Sequence, residues 1–120
     1  PLTGRSHRVE GGDEKMVELT KDNFDVEVKE SALPVLVDFW GPKCGPCMAL
    51  LPNVHKMAEE YEGKVKFCSV DVSANRRVAI ANKVMGLPTF LFWKGGAEVA
   101  RISGGDVTID KIKENVEALL

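Results

Sequence analysis

The chain has 120 residues, enough for one hydrophobic core and too few for two. Sixteen basic against eighteen acidic residues leave a net charge of −2 with no long run of either sign, which argues against nucleic acid or an anionic membrane as a partner. No stretch approaches the roughly 18 to 20 apolar residues of a membrane span, no signal-peptide pattern opens the chain, and three cysteines are too few for a disulfide framework, so a soluble, cytoplasmic protein is expected.

Residues 1–15 carry glycine, serine and charges that cancel, without apolar periodicity, and read as a disordered leader of expression-vector origin. Residues 16–120 are then the folded domain. Met16 to Leu19 reads as a brief strand, followed by a helix capped by Thr20 or Asp22 and running to about Lys29. Pro34 to Trp40 is apolar and β-branched with no helical stripe, as expected of a central strand covered on both faces. Cys44 to about Tyr61 reads as a helix with Ala49, Leu50, Val54, Met57 and Ala58 on or near one face; Pro52 should kink it and Gly63 ends it. Lys64 to Val72 is the next strand, and Ser73 is expected to cap a helix carrying Val78, Ala79 and Ala81 that stops before Gly86. Thr89–Lys94 and Glu98–Ser103 form a hairpin across Gly95-Gly96, because glycine supplies the positive φ of a tight turn. Thr108 or Asp106 caps a last helix with Ile109, Ile112, Val116 and Leu119 or Leu120 at helical spacing. The order βαβαβαββα describes a mixed sheet with helices on both faces, an α/β fold.

The pair Cys44-Gly45-Pro46-Cys47 stands between a predicted strand and a predicted helix. Its first sulfur therefore lies at a helix N-terminus, where unpaired N–H groups and the macrodipole favour an anion such as a thiolate. A close pair of this kind is catalytic or metal-binding. A structural zinc site needs four ligands, and the chain offers this pair, Cys68 on a strand and no second pair at the usual spacing, so no metal is expected.

The run Val37-Asp38-Phe39-Trp40-Gly41-Pro42-Lys43-Cys44-Gly45-Pro46-Cys47, then Pro52, then Gly86-Leu87-Pro88-Thr89-Phe90, resembles the thioredoxin family across nearly all of residues 16–120. The resemblance is specific, because the C-G-P-C core, the preceding acid, the helix proline and the G-L-P-T run must all coincide. It implies a central mixed five-stranded sheet flanked by four helices, and a thiol–disulfide oxidoreductase that reduces protein disulfides with no cofactor beyond a reversible Cys44–Cys47 disulfide. Two cysteines three apart at a helix start lie on one side of it, with Cα atoms at the roughly 5 to 6 Å that a disulfide tolerates. Cys44, nearer solvent, is expected as the nucleophile with a lowered pKa, and Cys47 as the resolving thiol. Trp40, Gly41, Pro42, Lys43, Gly45 and Pro46 make up the active turn, Pro46 stiffening it where a missing N–H costs little.

Asp38 breaks an apolar strand, and the resemblance implies that it lies behind Cys47 and helps deprotonate it; the bland alternative is a strand-end carboxylate bonded to backbone. Many family members place a lysine near this acid, but the aligned position here is Ser69, so the Asp38 pKa should be raised further. The resemblance also implies a cis Leu87–Pro88 bond facing the sulfurs, the Leu87 backbone receiving an extended substrate as an added strand, with Gly104 on the substrate surface. Partners implied are thioredoxin reductase or a similar electron donor and disulfide-containing target proteins, met by a monomer. Lys43 stands where the family usually has tryptophan and Met48 where lysine is common; with Arg76-Arg77, this is similar to the members serving glycine, sarcosine or betaine reductases of anaerobic bacteria. A disulfide isomerase, an oxidant or a partner-docking module is the alternative, and proline rather than histidine between the cysteines argues for a reductase. Cys68 is expected as a buried small hydrophobe, and His55 and His7 as surface residues.

Overall fold

The computed structural model describes residues 16–120, so the leader expected over residues 1–15, His7 included, lies outside the described residues. Five strands, β1 (Met16–Glu18), β2 (Val35–Trp40), β3 (Lys66–Asp71), β4 (Thr89–Lys94) and β5 (Ala97–Ser103), form one sheet in the order β1-β3-β2-β4-β5. The first three pair in parallel, and β4 and β5 are antiparallel, so the sheet is mixed and the apolar β2 is central. Three α-helices, α1 (Gly45–Glu60), α2 (Arg76–Ala81) and α3 (Ile109–Leu119), and a π-helical segment at Asp25–Lys29 flank it.

Alternation along the strands sends successive side chains to two separate cores. On one face Leu36, Phe67, Phe90 and Phe92 meet Val54 and Met57 of α1 and Ile112 and Val116 of α3. On the other Val35, Val37, Phe39, Cys68, Val70 and Leu91 meet Val28 of the π-helical segment, Phe24 at its N-cap, and Val78 of α2. Phe39, Phe67, Phe90 and Phe92 are fully buried, each contributing roughly 2–3 kcal/mol by leaving water.

Several expected elements differ in detail. The first helix is not α-helical from Thr20: the Thr20 N–H donates to Asn23 Oδ1 (2.7 Å) and the Thr20 Oγ1 accepts from the Asp22 N–H (3.1 Å), holding a capped turn before the π-register begins. The Glu30 N–H then reaches back to the Asp25 carbonyl (3.0 Å), and the wide turn brings Glu27 and Val28 inward together. Lys66 Nζ donates to Glu27 Oε1 (2.9 Å) and to the Glu27 carbonyl (3.0 Å), tying the segment to β3. β3 starts two residues later than expected because the Tyr61 carbonyl accepts from Lys64 and Val65 first. Ser73 does not cap α2: Asp71 Oδ1 accepts both its N–H (2.9 Å) and its hydroxyl (2.7 Å), and the helix starts after Asn75. Ala49 and Ala81 are exposed, since the buried stripes run Cys47, Val54, Met57, Ala58 and Val78, Ala79, while His55 is half-buried rather than on the surface. At the last helix Thr108 Oγ1 accepts from the Lys111 N–H (3.1 Å), and Leu119 rather than Leu120 is buried. α1 runs unbroken through Pro52.

Candidate functional site

The end of β2 delivers the chain into a turn that starts α1. Cys44 N–H donates to the Gly41 carbonyl (3.0 Å), closing a four-residue turn with Pro42 at its second position, where a fixed φ is favourable. Cys44 is the N-cap of α1 in extended conformation, and its Sγ accepts the Cys47 N–H (3.2 Å). A cap of this kind normally uses an oxygen; here sulfur occupies the place that satisfies an orphan amide, an environment that favours its anion. Cys44 and Cys47 form a disulfide with Cα atoms 5.3 Å apart. The two sulfurs are not equivalent: Cys44 is half-buried, whereas Cys47 is 3% exposed. Pro42, Lys43, Gly45 and Pro46 around them are exposed, and Gly41 is buried. A Cβ on Gly41 would sit 3.3 Å from Leu87 Cδ1, so the small residue lets the turn lie close against Leu87.

Asp38 points to the α1 face of the sheet. Its strand neighbours Val37 and Phe39 enter the other core, and Leu36, two residues back, packs with α1. Ser69 on β3 and Phe90 on β4 flank it laterally, so the position expected to lack a cation holds a hydroxyl. Asp38 is 3% exposed and, among the described residues, no hydrogen bond or ion pair reaches its carboxyl. Burial alone pushes its pKa up to about 7, which makes it a group able to hold or release a proton near neutrality. Cys47 heads the buried stripe of the helix covering that same face.

The third component comes from β4. Antiparallel pairing sets Thr89 opposite Phe39, which places the preceding residues at the same end of the sheet as the cysteine turn. The Leu87–Pro88 bond is cis. The Pro88 carbonyl accepts from the Gly104 N–H (2.9 Å), and Thr89 Oγ1 donates to the Gly86 carbonyl (2.7 Å). Gly104 adopts φ +60° with open space where a Cβ would stand. Among the described residues, no hydrogen bond occupies the Leu87 N–H or carbonyl, so both are available to an incoming strand. Trp40 is half-buried at the end of β2, and its carbonyl accepts from Val72 (2.9 Å).

Sequence reasoning did not single out Met85, which is 95% exposed and lines, with Val72, Ile80, Val84 and Leu87, a groove of about 290 Å³ leading to the cis bond. Its adjacency to Gly86 was the one available signal. Cys68 is fully buried, and burial raises its thiol far above the ordinary range, which disfavours the reactive thiolate. Among the described residues, no group of three or more metal-ligating side chains occurs, and no helix is long and apolar enough to cross a membrane.

The family model described as Thioredoxin matches residues 15–118. Over 105 residues the chain is 43% identical to the thioredoxin of Peptoclostridium acidaminophilum, 88% of this chain covering 92% of that protein. It is 41% identical over 105 residues to the thioredoxin of Acetoanaerobium sticklandii, with 88% and 96% covered, and 41% identical over 87 residues to thioredoxin 1 of a Nostoc species, with 72% and 81% covered.

Proposed function

The chain belongs to the thioredoxin family and is a protein-disulfide reductase acting through its Cys44–Cys47 pair, and from that premise we propose how its residues divide the work. The reduced Cys44 thiolate attacks one sulfur of a partner disulfide. A Cys44–partner bond forms, the partner S–S bond breaks, and one partner thiol is released. The Asp38 carboxylate takes the Cys47 proton, and the Cys47 thiolate attacks Cys44, releasing the second partner sulfur and leaving Cys44–Cys47 oxidised. Two electrons pass to the partner, and of the two protons its thiols take up, one comes from Cys47 by way of Asp38 and the other from solvent. Support comes from the unequal exposure of the sulfurs, the outer one reachable at the helix cap and the inner one buried on the Asp38 face.

Leu87 pairs its backbone with the partner strand, with Pro88 and Gly104 flanking it; the Gly41, Pro42, Lys43, Gly45 and Pro46 turn, with Trp40 behind it, forms the rest of the contact surface. Residues 16–120 are the working domain, a monomer of the cytoplasm re-reduced by thioredoxin reductase or a similar donor. Its targets are disulfide-containing proteins, an amino-acid reductase among them, a choice supported by Lys43 and Met48 at the rim. The assay is reduction of insulin by dithiothreitol: the chain accelerates it many-fold, and Cys44→Ser abolishes the acceleration. A rate equal to that of dithiothreitol alone overturns the reading.

A further inference from the structure

Strand β5 carries an irregularity that re-aims two charged side chains. Its pairing with β4 sets Phe92 opposite Ala100 but Trp93 opposite Glu98, so Val99 is an extra, bulged residue. Residues three apart on a regular strand face opposite sides; the extra residue restores parity, and Glu98 and Arg101 both face the α2 side with Trp93 and Leu91.

There the Arg101 guanidinium makes four hydrogen bonds. Nε and Nη2 donate to Glu98 Oε2 (2.6 Å) and Oε1 (2.8 Å), a bidentate pair that sets the plane of the fork. The same Nη2 donates to the Asn82 carbonyl (3.0 Å), and Nη1 to the Lys83 carbonyl (3.2 Å). These carbonyls belong to the C-cap of α2 and to the residue after it, which holds φ +57°. A cation at a helix C-terminus is favourable, and here it bonds two carbonyls at the point where the chain turns toward Met85, Gly86 and Leu87. The loop is otherwise held by the Lys83 N–H on the Ile80 carbonyl (3.0 Å), the Val84 N–H on the Ala79 carbonyl (2.9 Å), the Gly86 carbonyl accepting from Thr89, and the packing of Val84 and Leu87 against the second core.

We propose that Arg101 is a positioning residue for protein-disulfide reduction, pinning the end of α2 so that the loop presents the Leu87 backbone to the partner strand. The inference rests on the role given to Leu87 above. Arg101 touches neither sulfur, so its effect falls on docking and not on the exchange step. A small aromatic disulfide that needs no strand pairing is indifferent to it.

The experiment compares the full chain with Arg101→Leu, Arg101→Lys and Glu98→Ala on insulin and on a small aromatic disulfide. For Arg101→Leu the KM for insulin rises about 3- to 10-fold with kcat nearly unchanged, the signature of lost docking, and the small disulfide is reduced as before. Arg101→Lys recovers part of the loss, because an ammonium is a point charge without the planar fork, and Glu98→Ala moves the same way by less. An unchanged KM, or an equal loss on both substrates, overturns the positioning role. Amide hydrogen exchange at Lys83 and Val84 reads the clamp without turnover: it accelerates in Arg101→Leu, and unchanged exchange overturns the clamp itself. A wild-type chain inactive on insulin would instead fail the reductase reading and the docking role with it, leaving the clamp to the exchange data.

Discussion

Asp38 costs stability at the pH where its carboxyl is ionised. Its pKa is about 7 in the fold against 3.8 for the ordinary group, so the unfolded chain gives up this proton first. Stability from this residue is complete below about pH 4 and falls as pH rises toward 7, reaching a loss on the order of 4 kcal/mol above that. Asp38→Asn should therefore flatten the dependence and stabilise the chain above pH 7 in urea unfolding, while slowing release of a target from its mixed disulfide. A variant with the wild-type pH slope and release rate would remove Asp38 from both roles. At the rim, exposed Lys43 carries a positive charge one residue before Cys44, which favours the thiolate. Lys43→Trp should leave less of Cys44 as thiolate at neutral pH, read from ultraviolet thiolate absorbance; an unchanged absorbance would make the charge irrelevant. The burial of Asp38 was legible beforehand because a carboxylate inside Val35–Trp40 has nowhere polar to go. Arg101 was not, because its orientation depends on a bulge that exists only once β5 pairs with β4.

Among the elements, the β4–β5 hairpin is where local sequence and tertiary contact agree most closely. Gly95 (φ +63°) and Gly96 (φ +81°) form its two-residue turn, as the glycine pair implied. Gly96 is constrained twice, since a Cβ there would stand 2.9 Å from the Lys29 carbonyl. Gly96→Ala should cost about 1–3 kcal/mol in denaturant unfolding, from positive φ and the backbone clash together; a neutral substitution would mean that the Asp25–Lys29 segment shifts freely. That segment was also the least legible element. Its helical character follows from Phe24 and Val28, but the ion pair that ties Glu27 to Lys66 is a contact across 39 positions, invisible in the local sequence. Ser73 misled for a similar reason: a hydroxyl before an apolar run reads as a cap until Asp71 claims it.

Across the whole molecule, one end of the sheet gathers what the strand order separates in sequence. β2 brings the cysteine turn and Asp38, β4 the cis Leu87–Pro88 bond, and the end of β5 leads into Gly104, which fastens to the Pro88 carbonyl. Two cores, one on each face, hold that edge in place, so the disulfide can open and close on a rigid base. Cys68 lies fully buried in the second core and serves as an internal control for thiol chemistry. The most direct measurement is mass spectrometry of the reduced Cys47→Ser chain mixed with a disulfide-bonded protein. A one-to-one mixed disulfide through Cys44 should accumulate, with none in Cys44→Ser; no adduct, or one carried equally by Cys68, would contradict the division of labour between the two sulfurs.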